Sequence, residues 1–269
     1  MATATVEPGV TFGQLVQEVK RTNLRVITPW APSTASVLAN YMLRGIYGPA
    51  TRYGTDHLIT IEVVLPNGDV LQTGSANTPN AMPYCGIVNG PDFCKLFQAN
   101  PGTLGVLTKG TLRLYPMPEV IKPLMTSHPS YEAMIDPAMK MAKRDLVAAC
   151  WTMMFTRPAL KTMTEGSPLE AVVEMLPEDF YTMWLYVEGN KSQAEADEKA
   201  VIKLIEESGG TVLPMTPEME KGMIKDHLWE RTTVRGWKRG SLYGCSFYGV
   251  MKLAAKYYEA CRTFSKKYG

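Results

Sequence analysis

The residues best suited to chemistry lie between Ala31 and Asp56, in APSTASVLANYMLRGIYGPATRYGTD. Pro32, Ser33 and Thr34 predict a tight turn carrying two hydroxyl donors. Gly45, Gly48 and Gly54 carry no Cβ to hold a ligand away from the backbone. Main-chain N–H groups at such turns can meet phosphate charge, which is the task of a dinucleotide-binding loop. The spacing is not GxGxxG and no helix follows in the right place, which disfavours a Rossmann site. No GxxxxGK[ST] is present either, which argues against a nucleotide triphosphatase. Any one of these glycines alone is better read as an ordinary turn residue.

The elements that must position this stretch can be read on either side of it. Thr11 is a good N-cap with Gln14 three residues on, and Phe12, Leu15, Val16 and Val19 then share one helical face. Leu24 to Ile27 reads as a short strand. Ile59 to Leu65 is rich in β-branched residues, and Pro66-Asn67-Gly68-Asp69 turns it into a second strand, Val70 to Thr73. Thr78 to Asp92 reads as an insertion loop, Phe93 to Ala99 as a short helix and Leu104 to Leu114 as a strand. The Pro-containing connector Tyr115 to Pro123 marks the expected domain boundary.

Beyond it, Ala148 to Thr156 and Phe180 to Val187 read as strands. Ser192 with Glu195 predicts a capped helix that ends at Gly209-Gly210. Thr211 to Leu213 and Ser241 to Tyr248 read as further strands, before a last helix striped by Met251, Ala254, Ala255, Tyr258 and Cys261. The expected fold class is α+β, with a ferredoxin-like sheet in the second half.

Composition sets limits. With 269 residues, 45% of them hydrophobic, the chain can bury one large core or two modest ones. A net charge of +2 gives no drive toward nucleic acid or an anionic membrane. No run approaches the roughly 20 apolar residues that span a bilayer, and MATATVEPGV has no secretory pattern. Cys85, Cys94, Cys150, Cys245 and Cys261 are odd in number and show no metal spacing, so reduced thiols in a cytoplasmic protein are expected. His57, His128 and His227 are scattered and make no metal set.

Four ordered segments carry a resemblance: VEPGVTFGQL, APSTASVLANYMLRG, YGTDHLITIEVVLPNGDVLQTG and LFQANPGTLGVLTKGTLRLYPMP. They resemble the flavin domain of the vanillyl-alcohol oxidase and 4-cresol dehydrogenase (PCMH-type) family, within a wider group of glycolate and D-lactate oxidising flavoenzymes. The resemblance implies FAD as cofactor. It also implies the second subdomain of a PCMH-type FAD-binding domain over residues 1–118, and a partial ferredoxin-like substrate-capping domain over 119–269.

Residue by residue, the resemblance places Pro32, Ser33 and Thr34 beside the flavin, with Ser33 where alcohol oxidases of the group often have aspartate. Asn40, Arg44 and Gly45 match the next segment, and Tyr53, Gly54 and Thr55 follow. Gly102, Gly105 and Val106 match a turn along the adenylate end of the cofactor. His57 tempts as a base or a covalent flavin anchor, but a lone histidine after a turn is more often structural. Asp226, Trp229, Glu230 and Arg231, with Tyr243 and Tyr248, are weaker pocket candidates beside the simpler reading of solvated or core residues.

The family's preceding FAD subdomain and its C-terminal segment have no counterpart here, and no catalytic residue can be assigned. The resemblance therefore implies a subunit or part of a flavin-dependent oxidoreductase, acting on an alcohol or a phenolic benzylic C–H. A small-molecule substrate and a complementing polypeptide are the expected partners. A 2-hydroxy acid is the rival substrate, and a non-catalytic scaffold or remnant is the rival role.

Overall fold

The computed structural model describes residues 2–29, 31–43, 50–87, 90–100, 102–157, 160–161, 173–174, 176–228 and 253–268. The chain divides into two compact units. The first comprises Met1–Tyr47, Tyr53–Met117 and Lys225–Thr233; the second comprises Gly48–Arg52, Pro118–Ile224 and Val234–Gly269.

In the first unit, β1 (Thr3–Val6), β4 (Leu58–Val64), β5 (Val70–Gln72) and β6 (Val106–Arg113) form an antiparallel sheet in the order β1-β6-β4-β5. β2 (Leu24–Arg25) pairs with β7 (Tyr115–Pro116). The expected turn at Asn67-Gly68 closes the β4–β5 hairpin, where Leu65 N donates to the Asp69 carbonyl at 2.8 Å. α1 (Phe12–Lys20) opens on the expected capping box, with Gln14 N donating to Thr11 Oγ1 at 3.3 Å and Thr11 N to Gln14 Oε1 at 2.9 Å. Its buried face of Phe12, Leu15 and Val19 joins Val37, Leu38 and Tyr41 of α2 (Val37–Met42) and Leu58, Ile61, Val63 and Leu112 of the sheet in one core. Thr11→Ala is expected to lower stability by about 1 kcal/mol, read from the denaturant midpoint of unfolding.

In the second unit, β3 (Ala50–Thr51), β8 (Val120–Ser127), β9 (Ala149–Thr156), β10 (Asp179–Gly189) and β11 (Thr211–Val212) make a sheet in the order β11-β8-β10-β9-β3. Alternate residues of β10, Met183, Leu185 and Val187, are fully buried, as period-two patterning requires. They share a core with Met134, Ala138 and Met141 of α4 (Tyr131–Arg144) and with Val201, Leu204 and Ile205 of α5 (Lys191–Glu207). Two more helices are α6 (Pro217–Leu228) and α7 (Ala254–Tyr268), and a short α3 (Cys94–Phe97) lies in the first unit.

Several expectations need correction. α5 is capped by Asn190, which accepts from Gln193 N at 2.9 Å, and not by Ser192. Both residues are cap formers, and the end of β10 at Gly189 brings helical backbone in two residues earlier. The connector Tyr115 to Pro123 does contain the division between the units, at Met117 and Pro118, but it is built partly of β7 and the first half of β8. Pro123 is tolerated because β10 pairs with β8 there, while β11 pairs only at Thr126 and Ser127. The expected strand Ser241 to Tyr248 lies outside the described residues.

Candidate functional site

The turn carrying Pro32, Ser33 and Thr34 closes with Ala35 N donating to the Pro32 carbonyl at 2.9 Å. The Pro32, Ser33 and Ala35 carbonyls are already committed. Phe12 N donates to Ala35 O at 3.1 Å and Gly13 N to Ser33 O at 2.8 Å, so the turn supplies acceptors for two N–H groups that the start of α1 leaves unpaired. Pro32 and Ser33 are half-buried and Thr34 is exposed. Asn40 lies on α2 and turns its amide back to the Ser36 carbonyl at 3.0 Å. Arg44 and Gly45 lie outside the described residues, as do Trp229, Glu230, Arg231, Tyr243, Tyr248 and the side chain of Asp226.

Gly102 and Gly105 are brought together on the wall of a cavity of about 490 Å³. Ser36, Ala39 and Met42 from α2, Phe97 from α3 and Leu107 from β6 complete much of that wall. Asn100 shapes the turn: its Oδ1 accepts from Thr103 N at 2.9 Å and Thr103 Oγ1 at 2.8 Å. This is why β6 starts at Val106 and not at Leu104. Gly102 has φ +87° and opens on free space, so backbone can approach a ligand there. Gly105 is different: a Cβ would lie 2.5 Å from Val63 Cγ1 and 2.7 Å from the Val64 carbonyl oxygen. Crowding against the strand is reason enough for that glycine. Val106 follows at the start of β6, 68% exposed.

Tyr53, Gly54 and Thr55 form a turn held by Arg25 and Tyr115, which sequence reasoning did not single out, and by His57, which it did. Arg25 Nη2 donates to the Tyr53 hydroxyl at 2.9 Å, and Tyr115 packs edge-on against the Tyr53 ring with centroids 4.8 Å apart. His57 is buried, with Nδ1 3.1 Å from the Tyr115 hydroxyl. Burial lowers its pKa to about 4, so the ring is neutral at pH 7. Arg25 and Tyr115 carried no local signal, because their contacts cross 28 and 58 positions of sequence.

Burial pushes the thiols of Cys94 and Cys150 up to about 12, so neither is a nucleophile at neutral pH. Cys85, Cys94 and Cys150 are all free. Among the described residues, no cluster of His, Cys, Asp and Glu could hold a metal, and no helix is long and apolar enough to cross a membrane.

FAD offers flat rings at both ends and a charged pyrophosphate between them. The cavity fits the first of these demands: its walls are apolar, and Gly102 leaves the backbone open to close contact. No charged side chain lines it among the described residues, so phosphate charge has to be met by backbone N–H groups or by residues elsewhere.

Comparison with known proteins agrees with this fit. A sequence model described as the FAD binding domain matches residues 1–74. The chain is 34% identical over 140 residues to the probable mitochondrial D-lactate dehydrogenase of Danio rerio, covering 51% of this chain and 27% of that protein. It is 40% identical over 131 residues to the 4-cresol dehydrogenase [hydroxylating] flavoprotein subunit of Pseudomonas putida, covering 46% and 24%. A glycolate oxidase subunit of Bacillus subtilis (strain 168) is 32% identical over 139 residues, covering 49% and 27%. The matches thus span about a quarter of the length of these relatives.

Among solved structures, 4-ethylphenol oxidase from Gulosibacter chungangensis in its isoeugenol complex aligns with a TM-score of 0.78 at 20% identity, over 100% of this chain and 58% of that one. Substrate-bound p-cresol methylhydroxylase aligns at 0.70 and 21%, over 88% and 51%. At such identities the likeness defines the fold, an α+β fold of the PCMH type.

Proposed function

We propose that this chain, whose first 74 residues match the FAD binding domain model, works as part of an FAD-dependent oxidoreductase. The observation that carries the reading is the match of the FAD binding domain to the segment that folds Pro32–Thr34, α2 and the Tyr53–Thr55 turn into one unit. FAD, when bound, supplies the two-electron acceptor for a substrate C–H bond. The residues assigned here to holding it are Pro32, Ser33, Thr34, Asn40, Arg44, Gly45, Tyr53, Gly54, Thr55, Gly102 and Val106. Gly105 serves through the turn it allows. The apolar cavity wall excludes water from whatever ring it takes, and Arg44 is the group of this set able to meet phosphate charge.

By likeness to the 4-cresol dehydrogenase flavoprotein subunit, the substrate is an alcohol or a phenol with a benzylic C–H. The D-lactate dehydrogenase and glycolate oxidase relatives favour a second reading, a 2-hydroxy acid. A third, a scaffold that binds no FAD, is the outcome if the site is incomplete. Leu43 and Leu104 on the cavity wall stay 63% and 37% exposed, which favours a complementing polypeptide over this face. Free, scattered thiols are in keeping with a reducing, cytoplasmic setting.

The test is an absorbance spectrum of the purified chain with and without added FAD. Flavin bands that stay with the protein on gel filtration are expected. A colourless protein that takes up no FAD, alone or with its complementing polypeptide, sinks the reading.

A further inference from the structure

Outside the cavity, the first unit holds a cluster of aromatic and titratable side chains drawn from separate elements. Arg25 on β2 is 5% exposed; besides donating to the Tyr53 hydroxyl, it sets its guanidinium carbon 5.1 Å from the centroid of the same ring. Tyr53 packs on Tyr115 of β7, and the Tyr115 hydroxyl meets His57 Nδ1. His57 packs edge-on against Tyr41 of α2 and also meets the Gly54 backbone carbonyl. The contacts therefore leave the turn at Tyr53 and return to it at Gly54.

Such a closed path matters because the turn has little packing of its own. Gly54 sits at φ +69° with open space beside it, and Thr55 is exposed. A segment with few buried contacts opens locally at low free energy unless something ties it down. Here the ties are a hydrogen bond from a buried guanidinium and a buried ring whose Nδ1 meets the Tyr115 hydroxyl.

We propose that His57 and Tyr115 are positioning residues, which preset the Tyr53–Thr55 turn in its ligand-binding conformation and so remove the ordering cost from FAD binding. The role in FAD binding rests on the reading above; the clamp itself does not. In Tyr115→Phe the ring stays and only the hydroxyl goes. Hydrogen–deuterium exchange over residues 53–56 is expected to quicken about tenfold, with α1 and β6 unchanged, and the dissociation constant for FAD to rise by a similar factor. His57→Asn keeps a hydrogen-bonding amide near the place of Nδ1 and is expected to loosen the turn less than His57→Ala.

Unchanged exchange over residues 53–56 in both Tyr115→Phe and His57→Ala overturns the proposal. A loosened turn with unaltered FAD affinity overturns the positioning role. Wild-type protein that takes up no FAD overturns the cofactor reading instead, and the exchange experiment still decides whether the clamp exists.

Discussion

Gly105→Ala is expected to lower the free energy of unfolding by about 2–3 kcal/mol, whereas Gly102→Ala is expected to weaken FAD binding with a smaller loss of stability. The two glycines share a turn and a cavity wall, yet the structure separates their reasons. At position 105 a methyl group would meet the Val64 carbonyl oxygen at 2.7 Å and Cγ1 of Val63, itself 1% exposed, at 2.5 Å. Neither neighbour can yield cheaply: one is strand backbone, the other a stiff β-branched side chain in the core. At position 102 the methyl group meets nothing within 4 Å, and the cost is the φ of +87°, about 1 kcal/mol. Urea unfolding monitored by circular dichroism, beside FAD titration of each variant, checks the pair. Equal stability losses at the two positions, or no loss at 105, would show that the glycine at 105 is there for the ligand and not for the sheet.

That contrast also indicates what could be read from sequence. The capping box at Thr11 and Gln14 and the Asn67-Gly68 hairpin were legible because each is complete within a few residues. Gly105 was legible as necessary, but its cause was not, since the crowding comes from β4, more than 40 positions earlier. β8 was hidden by Pro123, which reads as a breaker until one knows that the strand has a neighbour on one side only at that position. β3 was hidden by its length, since two residues between glycines carry no period.

Arg52, next to the expected site, shows the same limit. It is read most simply as a polar loop residue, yet it donates to the Asp145 carbonyl at 2.7 Å and the Glu188 carbonyl at 3.0 Å, and so ties β3 into the second sheet. For the candidate site, sequence gave the turns that bear the glycines. Two of the side chains that hold one of them, Arg25 and Tyr115, are an outcome of strand pairing, because β2 meets β7 with Arg25 opposite Tyr115.

Acid should destabilise both units through their buried histidines, well before the carboxylates matter. His57 is 1% exposed and His128 4% exposed, and burial lowers each pKa to about 4 from the ordinary 6.5. Burial is the largest cause for both rings: His57 Nδ1 meets a tyrosine hydroxyl, and His128 Nε2 meets Thr126 Oγ1 at 2.8 Å. Between pH 6.5 and 4 the unfolded chain binds the proton and the folded chain does not, so unfolding gains proton binding as the pH falls. The stability that neutral histidine brings is therefore fully present above about pH 6.5 and is lost progressively toward pH 4. A difference of that size in pKa corresponds to roughly 3 kcal/mol per histidine. Carboxylates such as Glu62, which hydrogen bonds from Gln72, Lys109 and Thr108 hold below its usual range, begin to add their share only at the acid end of that window, as the pH falls through the ordinary carboxylate value of 4.5. Denaturant unfolding at pH 7.5 and pH 4.5 is expected to show both units weakened at the lower pH. His128→Gln should flatten the response of the second unit alone, since His57 belongs to the first. A wild-type midpoint that stays constant across this range would mean that both rings reach water when protonated, and that the buried geometry seen for them is not the one that holds in solution.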